Sequence, residues 1–288
     1  IWDDKPADNW ELAYPVGNGR LGAMAFGGFP EGRILLNEET IWAQVDPQTM
    51  PKGSAEAVAE ISRLILDRDY ARADALFQKE LLNGHRASSY QPLGNLWIRH
   101  LDGESLSGDL QRELLLDEGR TVTRIRLPDG SITRELLASV PDDIIVLRIA
   151  STRPTGLQLE IQLDRPPLAD EFPEAAAAYQ GEGPDAVSVR SEGEDLVLEG
   201  EARSFLDGTL HRGGTRFQGR LRVRIEGNGE LRTRPDRLEI RGAEAVTLLL
   251  AAATNYNRAA PMEPLPEGWQ AATRLSLPRR RSRSPWIG

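Results

Sequence analysis

The chain has 288 residues, with 44 acidic and 35 basic side chains, so its formal net charge is −9 at pH 7. This length fits one large all-β domain or two ordinary domains, and the acidic balance argues against nucleic acid as the main ligand. Cysteine is absent, which excludes disulfides, thiolate metal sites and a cysteine nucleophile. The histidines His85, His100 and His211 lie far apart in sequence, so we expect no metal site and no cofactor. No apolar run approaches the ~18–20 residues of a transmembrane helix, so we expect no membrane partner.

Two specific segments occur within the first 42 residues. Residues 14–24 read YPVGNGRLGAM, and residues 36–42 read LNEETIW. The glycines in the first segment resemble a dinucleotide-binding fingerprint, which requires a buried strand before it and a helix after it. Here Pro15 precedes the glycines, and residues 23–28 have the pattern of a strand. The sequence therefore does not favour a nucleotide site.

A helical hairpin is predicted at about residues 54–83. Ser54 can cap a first helix that extends to about Leu66, and Asp69 can cap a second that extends to about Leu82. Gly84 is expected to end the second helix. The residues expected to face inward are Val58, Ile61 and Ile65 in the first helix, and Ala73, Leu76, Phe77 and Leu81 in the second.

Most of the remaining sequence has the pattern of β-strands. Residues 157–163 alternate strictly between apolar and polar side chains, which places the apolar ones on one face of a strand. Further strands are predicted at 121–127, 144–149, 196–198, 217–225, 238–240 and 246–253, separated by turn sequences. Residues 169–184 are predicted to form a surface loop. Closely spaced strands and turns predict an all-β fold, either a sandwich or a barrel. We expect a large antiparallel β-sandwich with an inserted helical hairpin, whose core is formed by the inward faces of two sheets.

The C-terminal segment differs in composition. Residues 274–288 contain five arginines and no acidic residue. A basic tail can bind nucleic acid or anionic surfaces. An abrupt change to Arg, Ser and Pro is also typical of a frameshift or a broken gene end, and we favour that interpretation and expect no nucleic-acid partner.

The two N-terminal segments and several later blocks, in this order, resemble the start of family 95 glycoside hydrolases, the α-L-fucosidase-like family. The later blocks include YARA at 70–73, YQPLGNL at 90–96 and VTLLLAAATNY at 246–256. The resemblance covers about residues 1–258, which we expect to form the N-terminal β-sandwich domain. Residues 259–288 are then expected to be a truncated linker and a disordered or frameshifted tail.

The resemblance implies a β-sandwich followed by a helical linker and a catalytic (α/α)6 barrel. In this family the barrel supplies a Glu as general acid, and Asn and Asp side chains that activate a water molecule. The reaction inverts the configuration of the anomeric carbon. Inversion needs a separation of roughly 6.5–9.5 Å between the acid and the water-activating group, so that the water fits between them. No position of this sequence matches the barrel residues, so no catalytic residue can be assigned. The chain alone is expected to be inactive, and the intact enzyme is expected to act on terminal α-L-fucose of a fucosylated glycan. The alternative is a carbohydrate-binding or docking module, and the resemblance suggests a secreted or periplasmic location.

Four residues of the N-terminal segments are candidates for a surface that faces the substrate or the barrel: Asn18, Arg20, Glu38 and Trp42. Arg and Asn can hydrogen-bond to hydroxyl groups, and Trp can stack on the C–H face of a sugar. Adjacent residues on a strand point to opposite faces, so Glu38 and Glu39 cannot both face one substrate. One of them is expected to be buried and paired with Arg20 or Arg33. A structural role for the whole motif is the favoured interpretation.

Overall fold

A computed structural model describes residues 1–43, 53, 55–82, 90–102, 108–165, 187–206, 209–211, 213–261 and 263–276. Only the backbone is described at 82, 204–206, 209–211 and 275–276. The predictions for Ser54, Gly84, His85, the loop at 169–184 and the tail beyond residue 276 lie outside the described residues.

Two large antiparallel sheets form the molecule, in agreement with the predicted all-β sandwich. The seven-stranded sheet has the order β16-β17-β10-β5-β4-β3-β2, and the nine-stranded sheet has the order β1-β6-β7-β8-β9-β18-β15-β12-β11. The seven-stranded sheet consists of β2 (Tyr14–Gly17), β3 (Leu21–Ala25), β4 (Glu31–Glu38), β5 (Gly94–His100), β10 (Leu157–Asp164), β16 (Glu230–Thr233) and β17 (Arg237–Ala243). The nine-stranded sheet consists of β1 (Trp2–Asp3), β6 (Asp109–Leu115), β7 (Arg120–Leu127), β8 (Gly130–Ser139), β9 (Ile144–Ser151), β11 (Val187–Glu192), β12 (Asp195–Glu201), β15 (Arg216–Glu226) and β18 (Ala245–Thr254). A separate pair is formed by β13 (Ser204–Leu206) and β14 (Thr209–His211).

The core lies between the inner faces of the two sheets. In β10 the burial alternates residue by residue, as its sequence predicts, and Leu159 and Ile161 are fully buried. In the opposite sheet, Leu248 of β18 lies opposite Val223 of β15, and both belong to the same core cluster. Burying one such aliphatic side chain stabilises the fold by about 1.5–3 kcal/mol, so this layer holds the two sheets together.

The predicted strand at 23–28 is corrected by the structure. Strand β3 begins two residues earlier, at Leu21, and ends at Ala25. Gly27 has a φ of 78°, which a strand does not allow, and a Cβ at this position would lie 2.2 Å from Cδ of Arg112. The buried side chain of Arg112 thus occupies the space beside Gly27, and the backbone leaves the strand conformation at this residue. Strand β3, and not a helix, follows the first glycines of the motif, which differs from the dinucleotide-binding fingerprint.

The helical hairpin lies between β4 and β5. It consists of α1 (Ala55–Leu66) and α2 (Tyr70–Phe77), continued by a π-helical turn (Gln78–Leu82). Asp69 caps α2, since its side chain accepts a hydrogen bond from the backbone N–H of Arg72 at 3.3 Å. A 3₁₀ turn (Trp10–Leu12) and a short helix α3 (Ala271–Ser276) complete the described elements.

The predicted inner face of α1 is wrong in part. Ile61 is buried, but Val58 and Ile65 are about half exposed, and the other buried positions are Ala57 and Leu64. The helix contacts α2, and the cluster between them consists of Ile61, Leu64 and Ala73 with Leu76 and Leu81 packed against it. Phe77, also predicted to face inward, is 38% exposed. The buried face of α1 is therefore set by the position of α2, which the periodicity of the sequence alone does not give.

Candidate functional site

Asn18 lies in the turn between β2 and β3 and holds that turn in shape. Its Oδ1 accepts hydrogen bonds from the backbone N–H of Arg20 at 3.0 Å and of Leu21 at 2.8 Å. Its Nδ2 donates to the carbonyl oxygen of Ser139 at 3.0 Å and to Oδ1 of Asp143 at 3.1 Å. The side chain therefore connects the turn to the β8–β9 turn in the opposite sheet.

Arg20 joins three separate parts of the chain. Its Nε donates to Oδ2 of Asp143 at 2.8 Å, Nη1 donates to Oε1 of Glu38 at 3.1 Å, and Nη2 donates to the carbonyl oxygen of Ala252 at 3.0 Å. The guanidinium thus links the end of β4, the end of β18 and the β8–β9 turn. Hydrogen bonds that involve charged groups are stronger than those between neutral groups, so these contacts favour a single arrangement of the loops.

Glu38, the last residue of β4, is only 2% exposed. Besides its ion pair with Arg20, its Oε2 accepts hydrogen bonds from the backbone N–H and the hydroxyl of Thr40, both at 2.7 Å. The Thr40 hydroxyl also lies 2.6 Å from the hydroxyl of Thr254 at the end of β18. Glu39, by contrast, is exposed and forms an ion pair with Arg258. Glu38 is therefore the glutamate that is buried and paired with Arg20, as one of the two was expected to be, whereas Glu39 lies in the turn after β4.

We call Asn18, Arg20, Glu38, Thr40 and Asp143 the end network. Sequence reasoning identified its first three members and missed the other two. Asp143 has a φ of 54°, an unusual backbone conformation that Asp and Asn tolerate better than most residues. It lies 123 residues from Arg20 along the chain, so no local pattern connects them.

Trp42 lines a depression whose lining does not include the other three predicted residues. It is 43% exposed, and the depression is open with a volume of about 540 Å³. The other lining residues are Glu39, Thr40, Thr215, Tyr256 and Arg258. Thr40 is shared by this depression and the end network, so the network supports one wall of the depression from behind.

Tyr90 packs against Trp42 beside the depression. The two ring centroids are 5.4 Å apart with the planes tilted by 55°. Burial raises the pKa of the Tyr90 hydroxyl to about 12, and the nearby Glu38 carboxylate acts in the same direction. The hydroxyl therefore stays protonated and donates toward the carbonyl oxygen of Glu38 at 3.3 Å.

The other described tryptophans have different environments. Trp97 is partly buried, and its Nε1 donates to Oδ2 of Asp164 at 2.8 Å, which agrees with a packing role. Trp269 is almost fully buried, whereas Trp2 and Trp10 are exposed away from the depression lining. Trp42 combines exposure with a concave polar surrounding.

Two further features of the described residues concern metals and membranes. His, Asp and Glu side chains form no group of three or more placed to hold a metal ion in the described part of the chain. Within the same residues, the helices are too short or too polar to span a bilayer.

The fold and the site define a large antiparallel β-sandwich domain whose candidate site lies where the loops of the two sheets meet. Residues 1–259 match the N-terminal domain of glycosyl hydrolase family 65, and the chain belongs to this family.

Similar curated proteins are named as α-fucosidases, in agreement with the resemblance seen in the sequence. The chain is 28% identical over 260 residues to Alpha-L-fucosidase 2 of Arabidopsis thaliana, a match that covers 88% of this chain and 30% of the relative. It is 29% identical over 161 residues to the Probable alpha-fucosidase A of Aspergillus niger, covering 52% of this chain and 20% of the relative. The corresponding protein of Aspergillus oryzae is 26% identical over 157 residues, covering 53% of this chain and 22% of the relative. The chain thus spans less than a third of the length of these relatives.

Proposed function

We propose that this chain is the N-terminal β-sandwich domain of an inverting glycosidase that acts on terminal α-L-fucose or a related sugar. The catalytic acid and the water-activating groups belong to an (α/α)6 barrel domain that these 288 residues do not include. The observation that carries the proposal is the match to α-fucosidases across most of this chain but less than a third of their length.

The state of the carboxylates at the candidate site supports a non-catalytic role for this domain. An inverting glycosidase needs one carboxyl group that holds a proton and a second group that activates water. Glu38 and Asp143 both pair with Arg20, and Glu39 pairs with Arg258. Each carboxylate of the site is therefore engaged in an ion pair that connects separate segments of the domain, which is a structural role.

The end network gives the domain a scaffolding role in this proposal. It fixes the relative positions of the β2–β3 turn, the ends of β4 and β18, and the β8–β9 turn. A surface whose loops are held by charged hydrogen bonds is preorganised for docking of a catalytic domain, because little conformational entropy remains to be lost.

The test is an assay of the purified chain on a chromogenic α-L-fucoside. We expect release of chromophore no faster than with a heat-denatured sample. The variants Glu38→Gln and Glu39→Gln serve as a check for contamination, because a contaminating fucosidase is unaffected by them. Turnover that copurifies with the chain and is lost in either variant would overturn the proposal.

A second candidate function is a carbohydrate-binding or docking module without activity of its own. The observation that favours it is the exposed Trp42 in a concave polar surrounding. The nucleotide sequence downstream of the gene separates the two candidates. A barrel that continues from this domain, in the same or in another reading frame, supports a domain of the enzyme, and a barrel with its own start codon supports two separate chains.

A further inference from the structure

The depression beside Trp42 has the dimensions of a small-molecule site. Its volume of about 540 Å³ falls within the roughly 300–1,000 Å³ that is usual for ligand pockets. It is open to solvent on one side, and polar and apolar side chains line it. A surface of this kind suits a ligand that has both an apolar face and hydroxyl groups.

The indole of Trp42 is held in place before any ligand arrives. Its Nε1 donates a hydrogen bond to the carbonyl oxygen of Glu39 at 3.0 Å. The Tyr90 ring packs against it, and 43% of the residue remains exposed. A ligand that stacks on the remaining surface therefore does not have to immobilise the side chain, which lowers the cost of binding.

The charges around the depression cancel. Glu39 and Arg258 form an ion pair with each other, and the other polar lining residues are the neutral Thr40, Thr215 and Tyr256. An anionic ligand would have to displace Glu39 from Arg258, and a cationic ligand would have to displace Arg258 from Glu39. The lining thus favours a neutral ligand, and its hydroxyl and ionic groups provide donors and acceptors for hydroxyl groups.

We propose that this depression binds a neutral pyranose residue of a glycan, with one C–H face of the ring on Trp42 and ring hydroxyls toward Thr215, Tyr256 and the Glu39–Arg258 pair. The inference deepens the proposed function and rests on it for the class of ligand. An apolar ligand would leave the polar half of the lining without partners, and desolvating such groups without replacement costs free energy.

The experiment is a titration followed through the indole N–H signals of the ¹⁵N-labelled full chain. The six tryptophans give separate indole signals, and the variant Trp42→Phe identifies the signal of Trp42. The probes are methyl α-L-fucopyranoside and methyl β-D-galactopyranoside, with methyl β-D-glucuronide as the charged counterpart. We expect the neutral probes to shift the Trp42 signal with a Kd of about 1–10 mM, an affinity typical of a shallow open site. The signals of Trp2 and Trp10 are expected to stay unchanged.

Two variants make the assignment specific. Trp42→Ala is expected to weaken binding by at least about tenfold, because it removes the stacking surface. This variant has no Trp42 signal, so its affinity, like that of the unchanged chain, is also read from the backbone N–H shifts of the lining residues Thr215 and Tyr256. Trp10→Ala is the matched control, since Trp10 is 50% exposed but does not line the depression, and it should leave the affinity unchanged. Glu39→Gln leaves Arg258 without its carboxylate, so this variant is expected to gain binding of the glucuronide.

Two results would overturn the inference: no shift of the Trp42 signal with either neutral probe, or equal affinity in Trp42→Ala. Either result would instead favour a polypeptide segment as the occupant of this surface. Because the titration measures binding and the chromogenic assay measures hydrolysis, failure here leaves the proposed function intact. Hydrolysis by the chain would overturn the proposed function regardless of binding.

Discussion

Two groups of polar side chains lie within the same sandwich, and the arginine in each differs in how its charge is compensated. Arg20 in the end network contacts two carboxylates, Glu38 and Asp143, and donates through all three of its nitrogens. Arg134 on β8 is 6% exposed, and only its Nη1 has a partner among the described residues, the carbonyl oxygen of Gly28 at 2.7 Å. Burial lowers the pKa of the Arg134 guanidinium to about 10, so it remains charged at neutral pH.

His100 extends the second group. It is 1% exposed, packs on Phe29 at 5.1 Å, and has no hydrogen-bond partner for either ring nitrogen among the described residues. Burial lowers the pKa of His100 to about 2, and the charges of Arg134 and Arg153 act in the same direction. The comparison indicates that the polar groups of the end network hold a geometry, whereas Arg134 and His100 are buried with few hydrogen-bond partners among the described residues, which costs free energy.

The largest effect is expected when the cation of the end network is removed. Arg20→Met leaves Glu38 buried with no countercharge, and removing one partner of a buried pair costs about 3–5 kcal/mol. Because Arg20 is partly exposed and Glu38 keeps its hydrogen bonds to Thr40, we expect the lower end, about 3 kcal/mol of the free energy of unfolding. Urea denaturation at pH 7 measures this loss.

The matched control is Arg134→Met, which removes a buried cation that has no carboxylate partner in the described structure. The variant loses one hydrogen bond to Gly28, but it also removes a charge whose burial costs free energy. The two effects oppose each other, so the free energy of unfolding is expected to change by no more than about 1 kcal/mol. Equal losses in the two variants would contradict the distinction between Arg20, which is compensated by carboxylates, and Arg134, which has no carboxylate partner in the described structure.

The second effect is a dependence of stability on pH that arises in the second group. Below its ordinary pKa of 6.5, His100 binds a proton in the unfolded chain but not in the folded chain, so the free energy of unfolding falls as the pH falls. Each pH unit below 6.5 costs about 1.4 kcal/mol, so lowering the pH to 5 costs about 2 kcal/mol from this residue. Above pH 6.5 the residue contributes no pH dependence.

The variant His100→Leu isolates this contribution, because leucine has a similar size and does not titrate. Urea denaturation of both proteins between pH 5 and 8 gives the free energy of unfolding of each as a function of pH. We expect the two curves to run parallel above pH 6.5. Below pH 6.5 we expect the free energy of unfolding to fall less steeply in the variant than in the unchanged protein. Parallel curves down to pH 5 would mean that the His100 environment is accessible to protons and water in the folded state.

Much of the fold follows from the sequence, and the reason is local periodicity. Alternation over 157–163 fixes which side chains of β10 face the core, and the observed burial agrees with it residue by residue. The face of α1 could not be predicted in the same way, because the position of α2 decides whether Ala57 or Val58 is buried.

The candidate site could be predicted only for the residues that lie in the two N-terminal segments. Asn18, Arg20 and Glu38 lie in the two N-terminal segments and meet through the β3–β4 pairing, which places Leu21 opposite Glu38. Asp143, Tyr256 and Arg258 reach the same region from more than 100 residues away in sequence, through strand order in the sheets. No spacing rule connects such positions, and the depression therefore emerges only from the assembled structure.

The smallest effect concerns Asp143, whose unusual backbone conformation tests whether the end network stores strain. Asp143→Ala loses the hydrogen bond from Asn18 and the partly exposed ion pair with Arg20, the latter worth about 0.2–1 kcal/mol. It keeps a side chain that disfavours positive φ by roughly 1–2 kcal/mol. Asp143→Gly loses the same two contacts but removes that penalty. We expect the alanine variant to lose about 1–2 kcal/mol of the free energy of unfolding and the glycine variant less than about 0.5 kcal/mol. Equal losses would show that the two lost contacts, and not the backbone conformation at φ 54°, set the energy of this turn.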